Sequence, residues 1–178
     1  MRACDISLEV DCPPARFWRL YFDPEFNRAT FLEGLGWDLP TILEFRVDER
    51  EIVRNMTAAP KLELPGKVAK MVGDKLGYRE WGRFDRVAHE FHFRHQTNIF
   101  GERMTIAGTM WADPLPAERM VWRTKLTITC TVLGVGGLIE RAVEHNVLKS
   151  WPDCSRHWNR WIPAHPEAGF AEPDAARA

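Results

Sequence analysis

From Gly134 to about Trp161 one apolar stripe recurs at helical spacing: Val135, Ile139, Ala142, Val143, Val147, Trp151, Cys154, Trp158 and Trp161. Steps of three and four residues put these side chains on one side of a single long helix. Such a helix needs an equally long apolar surface to lie on. It comes last, so the surface must be built from the residues before it. Pro152 falls inside the pattern and predicts a kink or bend near Leu148, whose carbonyl loses its helical donor.

Most of the preceding chain alternates between apolar and polar residues. Cys4–Val10, Thr41–Asp48, Glu51–Thr57, Tyr78–Asp85, Glu90–Thr97, Met104–Asp113 and Arg119–Val132 each read as a half-buried strand. Short connections such as Asp48-Glu49-Arg50, Ala88-His89 and Phe100-Gly101-Glu102 join successive strands, which predicts an antiparallel meander. After the first strand, Pro13-Pro14 opens a short helix carrying Phe17, Trp18 and Tyr21. Asp23-Pro24 opens another, with Asp23 as N-cap, and Gly34 and Gly36 end it. Leu64, Val68, Met71, Val72 and Leu76, with Lys67, Lys70 and Lys75 between them, predict a small amphipathic helix.

Seven strands and one long apolar helix have few ways to bury both surfaces. The sheet must curl around the helix. The expected architecture is therefore α+β: a helix-grip fold, with a curved seven-stranded antiparallel sheet wrapped around a long C-terminal helix. One domain spans 1–162, and 163–178, rich in Ala, Pro and Glu, is predicted to be a disordered tail.

Composition narrows the functions. The 24 basic and 25 acidic side chains nearly cancel, without the positive excess of a nucleic-acid binder. Cys4, Cys12, Cys130 and Cys154 form no metal-type spacing and read as reduced thiols. No signal leader or membrane-length apolar run is evident, so a cytoplasmic protein is expected. On a strand, His92 points away from His89 and His95, so these three do not form a metal site. No G-x-S-x-G, H-E-x-x-H or phosphate loop occurs. No catalytic residue, metal or cofactor is assigned.

The element order, the Gly134-Val-Gly-Gly137 turn into the last helix, and Cys12-Pro-Pro-Ala-Arg-Phe-Trp18 after the first strand resemble the START-like, or Bet v 1-like, helix-grip superfamily (SRPBCC). Thr131–Glu140 is similar to a signature of one bacterial branch, and the resemblance covers roughly 4–162. It implies the helix-grip fold. It leaves function open among lipid carriers, hormone receptors, polyketide aromatases and cyclases, and oxygenase subunits.

A helix gripped by a concave sheet seldom fills it, so an internal cavity is expected. Its wall would include Leu43, Phe45, Val47, Phe91, Phe93, His95, Met104, Ile106, Trp122, Leu126 and Ile128 from the sheet, with Val143, Val147 and Trp151 from the helix. The leading expectation is non-catalytic binding or transfer of a small lipid-like or polycyclic hydrophobic ligand. The alternative is a polyketide cyclase/aromatase-like enzyme using inward polar groups among Arg54, Tyr78, Glu80, His95 and Asn146. A third is an interior plugged where Trp122 meets Trp151. The Leu64–Leu76 helix would cap the cavity and touch a membrane transiently through its lysines.

Overall fold

The computed structural model describes residues 1–64, 66–72 and 76–171. Strands β1 (Arg2–Val10), β2 (Thr41–Val47), β3 (Glu51–Ala58), β4 (Tyr78–Asp85), β5 (Glu90–Thr97), β6 (Gly101–Leu115) and β7 (Arg119–Cys130) form one antiparallel sheet. Its order is β1-β7-β6-β5-β4-β3-β2. The meander thus runs from β2 to β7, and β1 closes on β7. Between β1 and β2 lie helix α1 (Pro14–Tyr21), helix α2 (Pro24–Ala29) and a π-helical turn, Thr30–Gly34. Helix α3 (Gly66–Val72) separates β3 from β4, and helix α4 (Gly136–Ala164) follows β7. This is the helix-grip architecture.

Local chemistry sets these boundaries. The Asp23 carboxylate accepts from the Phe26 N–H at 2.9 Å and starts α2. Gly134 turns the chain at φ +77°, a conformation that favours glycine. At Gly136 a side chain is excluded, because a Cβ there would lie 2.5 Å from the Cys130 carbonyl oxygen. The first turn of α4 therefore sits directly on the end of β7. That turn ends β7 at Cys130 rather than at the expected Val132, whose carbonyl instead accepts from the Gly136 N–H.

α4 lies along β1, β7 and the π-helical turn, with Ile139, Ala142, Val143, Cys154, Trp158 and Ile162 buried. Both of its ends are tied to the sheet side. Near its start, the Cys130 N–H donates to Glu140 at 2.8 Å. Toward its end, Ser155 Oγ donates to the Glu9 carbonyl at 2.8 Å, the Asp11 N–H donates to Asn159 at 2.9 Å, and Arg16 donates to the Ile162 carbonyl at 3.1 Å. Its middle is held differently. Asn146 accepts from the Glu63 N–H at 2.8 Å and donates to the Glu63 carbonyl at 2.9 Å, fastening the segment between β3 and α3.

Helix α4 runs unbroken through Pro152, and Leu148 lies on its exposed side, where losing one hydrogen bond costs least. The tail expected from 163 begins as the last turn of α4 and then packs back on the domain. The Phe170 N–H donates to the Arg19 carbonyl at 2.9 Å, and its ring meets Phe45 at 5.4 Å between centroids. Residues 172–178 of that tail lie outside the described residues.

Candidate functional site

Space remains between α4 and the inner faces of β3 to β7, closed by α1, α2, the π-helical turn and α3. It forms a cavity of about 190 Å³. One water needs roughly 10–15 Å³ on this measure, and pockets for drug-sized ligands run to about 300–1,000 Å³. At about 24 cal/mol per Å³, empty apolar space of 190 Å³ would cost about 4–5 kcal/mol. That is a large share of a domain's usual stability of about 5–15 kcal/mol. Occupation by an apolar guest would remove that cost.

Phe93, His95, Met104, Ile106, Trp122, Leu126, Val143, Val147 and Trp151 line the cavity. Leu43, Phe45, Val47, Phe91 and Ile128 do not. Leu43 and Phe45 sit on the edge strand β2, 49% and 41% exposed, and Phe45 is met by Phe170 instead. Val47, on the same edge strand, is only partly buried. Phe91 is fully buried against Tyr21 and Phe22, and Ile128 lies fully buried in the core, so neither reaches the open space. Trp122 and Trp151 do meet, stacked at 4.8 Å and 21°, and they narrow the cavity without filling it.

The wall also contains Tyr21, Phe26, Thr30, Phe31, Leu35 and Trp37 from the α1–α2 region, and Pro60, Leu62 and Leu64 before α3. The helical spacing of Phe17, Trp18 and Tyr21 signals an apolar face. Nothing in it distinguishes a face that packs solidly from one that borders a void.

One end of the cavity is polar. Arg54, Glu80 and His95 stand on the inner faces of three neighbouring strands, with Glu80 directly opposite His95 and Arg54 opposite Gly82. Arg54 Nη2 donates to Glu80 Oε1 at 3.2 Å. Arg54 Nη1 donates to the Tyr21 carbonyl at 3.0 Å and to Asn27 Oδ1 at 3.2 Å. The other Glu80 oxygen, Oε2, lies 2.8 Å from His95 Nε2. Tyr78 stacks on the His95 ring at 4.5 Å, and Phe93 lies 5.0 Å from it.

Burial alone would push the Glu80 carboxyl up, but the Arg54 guanidinium and the His95 hydrogen bond hold it below its ordinary value. Glu80 is therefore an ionised acceptor. Burial pushes the Tyr21 phenol up to about 12 and raises that of Tyr78 as well, so both stay protonated.

All five polar candidates named from sequence, Arg54, Tyr78, Glu80, His95 and Asn146, border the cavity. The face of β4, ambiguous between Trp81 and Phe84, is settled by its neighbours. Glu80, Gly82 and Phe84 point inward, while Trp81 lies outside with the Arg79 guanidinium 4.8 Å from its ring. Gly82 is bare because a Cβ there would lie 2.4 Å from the Phe91 ring. His92 points outward to Thr109, 3.1 Å away, and no cluster of three potential metal ligands occurs among the described residues.

A seven-stranded sheet gripping its last helix around a cavity defines the helix-grip fold class. Within it, the chain belongs to the DUF2505 family, described as proteins of unknown function, whose model matches residues 5–162. No curated protein matches the chain. Among solved structures, it is similar to the Zhui aromatase/cyclase from a Streptomyces species, with TM-score 0.62 and 14% identity over 90% of this chain and 95% of that one. A protein from Thermus thermophilus aligns with TM-score 0.62 and 15% identity, over 92% and 98% of the two chains. A START superfamily protein from Mycobacterium smegmatis gives TM-score 0.56 and 8% identity, over 91% and 97%. At such identities these similarities speak to fold alone.

Proposed function

We propose that the protein binds a small lipid-like or polycyclic hydrophobic ligand in this cavity and carries it unchanged. The observation behind this reading is a concave, largely apolar wall with the Arg54–Glu80–His95 cluster at one end, the usual make-up of a small-molecule site. Trp122 and Trp151 in that wall give the test its signal. Native mass spectrometry of protein purified from cells should show a bound guest, and an apolar guest added to stripped protein should quench tryptophan fluorescence saturably. Protein that is repeatedly ligand-free and silent to fatty acids, sterols and aromatic guests would end this reading.

Val68 of α3 is buried and borders the cavity, whereas Ala69 and Lys70 on the same helix are exposed. In this reading α3 caps the cavity, and its outer side meets an acidic bilayer only transiently during loading. Pro65 and residues 73–75 of the expected Leu64–Leu76 helix lie outside the described residues. No described helix is long and apolar enough to cross a membrane.

A second reading, a cyclase/aromatase-like enzyme, draws on the Glu80–His95 pair bordering the cavity. There, an ionised Glu80 would orient His95, and the imidazole would accept a proton from an enolisable guest. Incubation with a linear poly-β-ketone and mass analysis separates the two. Unchanged substrate recovered from the cavity decides for carriage.

A further inference from the structure

The polar end of the cavity is charge-balanced, and this limits which guests it can hold. Arg54 is 4% exposed and spends both terminal nitrogens on the protein, on Glu80, Asn27 and the Tyr21 carbonyl. Glu80, 3% exposed, is an acceptor at both oxygens. Arg54 Nε has no partner, but the guanidinium charge is already matched by Glu80, so a guest's anionic group would bring a charge with no counter-charge of its own. An added carboxylate would also enter beside the Glu80 charge, in surroundings that screen it poorly.

His95 also borders the cavity and keeps 17% of its side chain accessible. An ionised carboxylate can only accept, so the proton between Glu80 and His95 belongs to Nε2. In the singly protonated ring this makes Nδ1 an acceptor, and Nδ1 has no hydrogen-bond partner among the described residues. The stacked Tyr78 ring fixes the imidazole plane, and the Trp122–Trp151 stack offers the flat apolar wall.

Building on the cavity reading above, we infer that this site selects neutral hydroxyl-bearing guests — alcohols, phenols or enols — over carboxylates, with the guest O–H donating to His95 Nδ1. A fatty acid or an aromatic acid is then a poor ligand, although its hydrocarbon part fits.

Calorimetric titration of the full chain at neutral pH with naphthalene, 2-naphthol and 2-naphthoate tests this, since the three share one apolar frame. The expected order is naphthol tightest, by about fivefold over naphthalene for one net hydrogen bond, and naphthoate weakest. A parallel pair, dodecanol against dodecanoate, distinguishes a chain alcohol from a phenol as the preferred source of the hydroxyl. His95→Phe should abolish the naphthol advantage while naphthalene still binds. Equal binding of all three, or tighter binding of naphthoate, overturns the selectivity and leaves the cavity reading intact. No binding of naphthalene or dodecanol overturns both. The wild-type series decides the matter even if the variant does not fold.

Discussion

The two halves of the sheet are built on different terms. Where α4 lies on it, along β1 and β7, the inward row is Cys4, Ile6, Val10, Met120, Trp122, Leu126, Ile128 and Cys130, with Thr124 its one buried polar member. Over β3, β4 and β5, which α4 does not cover, the inward row includes Arg54, Glu80, His95 and Thr97. A sheet face pressed by a helix is filled with apolar atoms. A sheet face that borders a void keeps polar groups, because they can be satisfied by one another and by whatever enters. Within the sheet, the buried ion pair therefore lies on β3 and β4, away from the strands that α4 packs along.

That contrast can be broken most forcefully at the ion pair. Arg54→Ala should cost about 3–5 kcal/mol in urea unfolding, because it strands a buried carboxylate. The apolar double replacement Arg54→Met with Glu80→Leu should recover most of that loss. If the double variant is as unstable as the single, the pair is not a self-compensating unit.

On the covered side, Ile128→Ala should cost about 2–5 kcal/mol, since Ile128 is fully buried and does not line the cavity. Leu126→Ala, at a residue that already borders open space, should fall at the lower end of that range. Equal costs at the two sites would erase the distinction between them.

Acid provides a subtler test. The folded-state value of Glu80 is depressed, so its stabilisation is complete above the unfolded value of about 4.3 and is lost as pH falls through the folded value. Stability against pH should therefore fall less steeply below about 4.3 in Glu80→Gln than in the natural protein. Identical slopes would remove Glu80 from the acid response. The smallest effect belongs to β2, where Leu43→Thr, at a site 49% exposed, should change stability by no more than about 0.5 kcal/mol.

Alternation in the sequence is enough to assign the faces of β5 and β7 correctly, since Phe91, Phe93, Trp122 and Leu126 all turn inward. On β2 it assigns Leu43, Phe45 and Val47 to one face, but a bulge between Ile42 and Glu44 breaks the register at Leu43, and the inference to a cavity wall does not hold. Periodicity reports which residues share a face and says nothing about whether another element covers that face. β2 is an edge strand, and its partner Phe170 comes from a segment whose composition suggests a tail. The polar end was legible as a set of candidates and not as a unit. Arg54, Glu80 and His95 lie on three strands, and only the register, with Gly82 making room for Phe91, brings them together.

The anchoring of α4 carries a last implication. With its first turn seated against Cys130 and its far end bonded to Glu9, Asp11 and Arg16, the closing helix is a beam clamped at both supports. A clamped beam yields little, so guests of different girth must be accommodated elsewhere. If the cavity takes guests as proposed, the wall left to adjust to their size is the stretch from Pro60 to Leu64, held at mid-span by Asn146 and by the Lys149–Glu63 ion pair.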